Sequence, residues 1–206
     1  MELEPSESVP LCRASHRRLF DRVAGIDDAT ARRPSRLPGW TVGHLLAHLA
    51  LHADGNVRRL EGALRGEEVP RYPGGRAERD HDIEERSGRP AAQLVSDLLE
   101  STRLLEEVWD RSERAGWPNA DLLAGDHWPV SSSPLRRLRE VEVHHVDLDL
   151  GYEAVDWPDA YVAWELQATL ERVPVRLAAS EDRRRLLTWL MGRSGAPERI
   201  RLDPWP

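Results

Sequence analysis

Along most of this chain apolar residues recur every three to four positions, and few stretches alternate with period two. A chain patterned in this way must bury stripes along helices, which excludes a fold built mainly from half-buried strands. Leu11, Leu19 and Val23 mark a first helix from Leu11 to about Ala24. Val42 to about Arg65 carries Leu45, Leu46, Leu49, Val57, Leu60 and Leu64, with Thr41 placed to cap it. Pro90 suits the first position of a third helix, which runs through Leu94, Leu98, Leu105 and Val108 to about Arg111. Ser133 and Pro134 open a fourth, through Leu138, Val141 and Val143 to Leu150. Amphipathic helices of this length joined by long connections predict a four-helix bundle. Residues 66–88 are polar and glycine-rich, and are expected as a long loop with one helical turn.

After Gly151 the pattern changes. Trp157-Pro158 opens a fifth helix to about Arg172, and Glu181 to Arg193 is again helical. Between them VPVRLA, residues 173–178, is β-branched and roughly alternating, so a strand is expected there. Ile200 to Leu202 is a second short strand candidate. The expectation is therefore a mainly α chain: a bundle over residues 1–152, then a small α/β region over residues 153–206.

Composition narrows the function. At 206 residues the chain holds one or two domains. No stretch approaches the roughly 18 uninterrupted apolar residues of a membrane helix. The opening MELEPSESVP is acidic and is not patterned as a signal peptide. The single cysteine, Cys12, leaves no partner for an internal disulfide and no multi-cysteine zinc site. A cytoplasmic location is the expectation. A net charge of −7 argues against holding nucleic acid by neutralising its phosphates. All 29 basic residues are arginine, so lysine Schiff-base chemistry is excluded. The 8 tryptophans against 1 phenylalanine are candidates to line a pocket.

Two segments concentrate metal-type ligands. The first is His44-Leu-Leu-Ala-His48-Leu-Ala-Leu-His52 on the second helix. The other is Glu140-Val-Glu-Val-His144-His145-Val-Asp147 on the fourth. Helical residues four apart differ by only about 40° around the axis, so Glu140 and His144 can reach one point. A histidine from a facing helix would complete two imidazoles and one carboxylate. That is a common catalytic zinc set, with a fourth position open. Glu140 and His144 sit among Leu138, Val141, Val143 and Val146, which suits a core-facing pair, and buried charge must be paired or metal-bound.

PGWTVGHLLAHLALHADG, followed by RLREVEVHHVDLDLGY, WP and the late LLTWLMGR, resembles the mycothiol-dependent maleylpyruvate isomerase family of the DinB-like superfamily. The likeness runs from about Leu19 to Arg193. It implies a DinB-like four-helix bundle followed by a small α/β domain. It also implies that the metal-binding histidine of the second helix is His48, joined by Glu140 and His144. An active-site arginine in the loop after that helix falls on Arg79 in ERDHDIE, with Arg76 as the other possibility. His52 stands where relatives often carry asparagine, and the C-terminal part looks shorter than usual.

The resemblance further implies zinc, and mycothiol as a thiol cosubstrate. Zinc lowers the pKa of a thiol that it binds. Addition of the thiolate to the cis double bond of maleylpyruvate, rotation and elimination would give fumarylpyruvate. Arg79 would pair a carboxylate of this dianionic substrate. Three readings stand: the isomerase, a mycothiol S-transferase acting on another electrophile, and a non-catalytic metal-dependent binding module. The partners are small molecules; oligomeric state is open. Among the remaining candidates, His44 is expected as a polar helper or core group and His52 as exposed or structural. His145 should face away from His144, and Asp147 is either a surface carboxylate or the group that orients a ligand histidine. His127-Trp128 is expected as loop packing, and Cys12 as a small core residue.

Overall fold

The computed structural model describes residues 3–118, 129–177 and 179–195. The first helix, α1 (Pro5–Val23), begins ahead of the expected Leu11. Pro5 occupies its first turn, where the missing N–H costs nothing, and Glu4 and Glu7 cap each other's backbone. A single turn, α2 (Asp28–Ala31), is capped by Asp27. Next comes α3 (Val42–Leu64), where Thr41 is the cap as expected: its hydroxyl accepts from the His44 N–H. The His44 ring in turn accepts from the Thr41 N–H at 3.2 Å, closing a reciprocal cap. Three further helices, α4 (Gly75–Ser87), α5 (Ala91–Arg114) and α6 (Ser133–Asp147), complete the larger part.

The bundle consists of α1, α3, α5 and α6. Its main pairings are α3 on α5 and α1 on α6, with α1 also on α5 and α3 also on α6. Leu19, Val23, Leu45, Leu46, Leu49, Leu94, Leu98, Val141 and Leu148 form one buried cluster. All of these except Leu148 are apolar positions read from the periodicity, so burial of the stripes drives assembly.

The polar stretch 66–88 departs from expectation: its second half is the thirteen-residue helix α4. Ile83 is its one buried residue among α4 positions, so no apolar stripe announced it. Helix α4 lies against α3. Gly43 permits its C-terminal end to close in, since a Cβ there would come within 2.5 Å of the Ser87 carbonyl oxygen.

A larger compact unit runs up to Trp157, and a smaller one starts at Pro158. The smaller contains α7 (Asp159–Arg176) and α8 (Ser180–Leu190). The strand expected at 173–178 is corrected: Val173–Arg176 continues α7, because β-branched residues lower helix propensity only slightly and the local pattern does not override the helix already under way. The strand expected at Ile200–Leu202 lies outside the described residues, as do His127 and Trp128. Among the described residues the extended pairing is one isolated bridge, Pro34 with Thr41. The chain is thus mostly helical.

Candidate metal centre

Helices α3 and α6 face each other inside the bundle and bring His48, Glu140 and His144 together. One ligand atom from each lies within 4.8 Å of the others. Glu140 Oε2 is 2.9 Å from His48 Nε2 and 3.5 Å from His144 Nε2. The two rings meet edge to face, with centroids 4.8 Å apart. Sequence spacing brings Glu140 and His144 onto one face of α6; the fold supplies His48 from the opposite wall.

The surroundings aim these groups. Asp147 Oδ2 accepts from His144 Nδ1 at 2.9 Å, which turns Nε2 toward the cluster. That is the geometry of a carboxylate orienting a metal-ligating histidine. On the other side, Arg79 Nη2 donates to His48 Nδ1 at 3.2 Å. Trp40 lies edge-on to His48, with ring centroids 5.7 Å apart, and forms an apolar wall.

Charge and burial agree with a cation-binding pocket. Burial alone would raise the Glu140 carboxyl, but His52, His144 and His48 around it hold it well below the usual carboxylate range. Burial opposes the charge on His144, yet Asp147 and Glu140 outweigh it and push its pKa up to about 9. Burial lowers the pKa of His48. Glu140 is therefore an anion that accepts hydrogen bonds from two ring Nε2–H groups. The donor set, two imidazoles and one carboxylate with a carboxylate orienting one ring, fits a divalent cation such as zinc. Loading it displaces those protons.

Arg137, one helical turn before Glu140, was not anticipated and is fully buried. Its Nη1 donates to the Leu49 carbonyl at 2.7 Å and to His52 Nδ1 at 3.3 Å. Its Nε donates to His16 Nε2 at 3.1 Å, and Glu106 accepts from His16 Nδ1 at 2.6 Å. The sequence signal was an arginine on the apolar stripe between Leu138 and Leu135. Trp40 was covered only by the general expectation that tryptophans line a pocket, because it lies in a loop that periodicity does not read. His52 is buried, beside Arg137 and Asn56, so the exposed alternative is corrected. It lies one turn further along α3 on the face that His48 shares, and that face is packed against α6.

The other candidates fall elsewhere. His44 caps α3 and pairs with Glu84 at 3.2 Å. His145 faces away from the cluster and stacks on Tyr152, with centroids 3.7 Å apart. Arg76 is largely exposed and pairs with Asp80; of the two arginines considered, Arg79 is the one that reaches His48. Cys12 is buried beside His16, and burial pushes its thiol pKa far up, which makes it a poor nucleophile.

Known proteins place this arrangement in context. A crystal structure of the mycothiol-dependent maleylpyruvate isomerase is similar at a TM-score of 0.73 and 28% identity, covering 78% of this chain and 67% of that one. A crystal structure of a histidine-to-alanine mutant of the mycothiol-dependent maleylpyruvate isomerase gives a TM-score of 0.70 and 29% identity, with the same coverage. No curated protein sequence matches. A family model described as the mycothiol maleylpyruvate isomerase N-terminal domain matches residues 12–149, a span that contains α3, α4 and α6 and all the residues of the cluster. The chain that folds these facing helices around His48, Glu140 and His144 belongs to that family.

Proposed function

We propose that this protein is a zinc- and mycothiol-dependent isomerase that converts maleylpyruvate to fumarylpyruvate in the cytoplasm. The observation that carries the reading is the meeting of His48, Glu140 and His144 between two helices of a chain belonging to this family. Those three residues would hold the zinc, with Asp147 fixing the His144 ring. When bound, zinc supplies the positive charge that keeps a thiol ligand deprotonated near neutral pH.

The remaining work falls to the chain. Trp40 and the half-buried placement of Glu140 and His144 keep bulk water off one side of the cluster. Arg79, half-buried beside His48, would offer a planar fork to a substrate carboxylate. A chain of net charge −7 gives no global attraction for a dianion, so local arginines must provide it. In the reaction the thiol sulfur bonds to one carbon of the cis double bond and the π pair moves toward the carbonyl. The resulting single bond turns, and loss of the same sulfur restores the double bond as trans.

The test is purified protein with mycothiol and maleylpyruvate, followed by chromatography. Formation of fumarylpyruvate that requires mycothiol supports the reading. Consumption of mycothiol by other electrophiles, with maleylpyruvate inert, would replace it with S-transfer.

A further inference from the structure

The two helices that carry the metal ligands are not each other's main support. Helix α3 packs chiefly on α5, and α6 chiefly on α1. Apolar burial is non-directional, so it does not by itself set α3 against α6 to the fraction of an ångström that a ligand set needs. A directional tie lies where that matters. Arg137 is on α6 one turn before Glu140 and is 0% exposed. Its Nη1 donates at 2.7 Å to the backbone carbonyl of Leu49, the residue after His48. The same nitrogen donates at 3.3 Å to Nδ1 of His52, one turn beyond His48 on α3. Arginine has only donors, so the His52 ring is held with Nδ1 as acceptor. The other two nitrogens face the remaining helices: Nε donates to His16 Nε2 of α1 at 3.1 Å, and Nη2 to Thr102 Oγ1 of α5 at 3.3 Å. One planar guanidinium thus bonds to all three other helices of the bundle. A longer contact, 3.5 Å from Ser133 to Asn56, ties α6 to α3 about two turns from the ligands.

We propose that Arg137 is a positioning residue for the metal centre. By bonding α3 beside His48 from a place on α6 beside Glu140, it sets the approach of the His48 ring to the Glu140–His144 pair. It thereby sets the affinity and geometry with which the three residues take a divalent cation. The inference rests on the metal site proposed above and assigns Arg137 no part in the reaction itself. A fully buried arginine is a costly way to hold helices together. An apolar side chain would bury at lower cost but would fix no angle, whereas the rigid fork of donors fixes angle and distance at once. The guanidinium therefore trades stability for the register of α3 on α6 at the level of the ligands.

The test measures zinc affinity of the full chain by competition with a chromophoric chelator. Beside it stands the visible spectrum of the cobalt(II)-loaded protein, whose bands report ligand number and geometry. Arg137→Met should weaken zinc binding by about 10–100-fold, as for other groups that orient metal ligands, and should shift the cobalt bands. Leu60→Ala is the control, because it empties a buried position of α3 about 18 Å along the helix axis from His48. It should lower the urea midpoint and leave zinc affinity and cobalt bands as in the wild type. Arg137→Met protein that binds zinc as tightly as the wild type, or no less tightly than Leu60→Ala, overturns the proposal and keeps the metal centre. A wild type that binds neither ion overturns the metal centre, and the proposal with it. Should Arg137→Met fail to fold, hydrogen exchange on wild type stripped of metal decides. The amides of residues 48–53 should be equally protected with and without zinc, since Arg137 already holds α3 to α6. Protection that arises only when zinc is added would show that the metal sets the approach, and would overturn the proposal.

Discussion

Arg79 and Arg76 lie one helical turn apart on α4 and share Asp80 as a neighbour, yet only Arg79 reaches His48. Arg79→Met should keep one equivalent of metal and lose about tenfold or more in kcat/KM, through KM, because the carboxylate contact proposed for it would be lost. Arg76→Ala should alter neither quantity. Steady-state kinetics beside metal analysis check both; an inactive Arg76→Ala with an unaffected Arg79→Met would reverse the assignment. At this scale the sequence was informative where helical spacing did the placing. Glu140 and His144 share a face by arithmetic alone. His48 could be told from His44 and His52 only by resemblance, because all three lie on one α3 face and tertiary packing decides which reaches Glu140. Arg137 was illegible for a different reason. An arginine is normally a surface residue, and only the fold shows Leu49, His16 and His52 arranged to satisfy it.

The elements divide by what stabilises them. Helices α3 and α5 are held by the stripes seen in the sequence. Leu98 is 0% exposed while its neighbour Leu99 is 42% exposed. Leu98→Ala should cost about 2–5 kcal/mol and Leu99→Ala less than about 1 kcal/mol, measured by urea unfolding. Equal losses would mean that α5 is rotated from its described face. Thr41 caps α3 just ahead of the site, and Thr41→Ala should cost about 1 kcal/mol. Helix α4 has no such signature. Its mostly exposed residues are charged or small, and its apolar hold on the protein is Ile83 together with the close approach at Gly43, joined by polar contacts of Arg79 with His48, Glu84 with His44 and Arg86 with Asp54. A pattern reader sees polar sequence there and expects a loop. At α7 the reverse happened: a β-branched run suggested a strand, and the helix ran through it.

For the whole molecule the buried histidines govern acid stability. Burial, against the pull of Glu106, lowers the His16 pKa from 6.5 to about 4. The unfolded chain takes up this proton near 6.5, whereas the folded chain refuses it until about 4. The stability it contributes is therefore complete above about 6.5 and is lost as pH falls toward about 4. The amount is on the order of 3 kcal/mol. His16→Gln should lower the urea midpoint near neutral pH and flatten its decline across that window; a decline as steep as the wild type's would show that other groups set it.

The central claim is that α3 and α6 fold to make one metal site from His48, Glu140 and His144. Metal content by mass spectrometry, on wild type and on His48→Ala, Glu140→Ala and His144→Ala, tests it most directly. One equivalent of zinc in the wild type, and none in any folded variant, is the predicted result. A full equivalent retained by any of the three, or a wild type that takes up no metal when zinc is supplied, would contradict it.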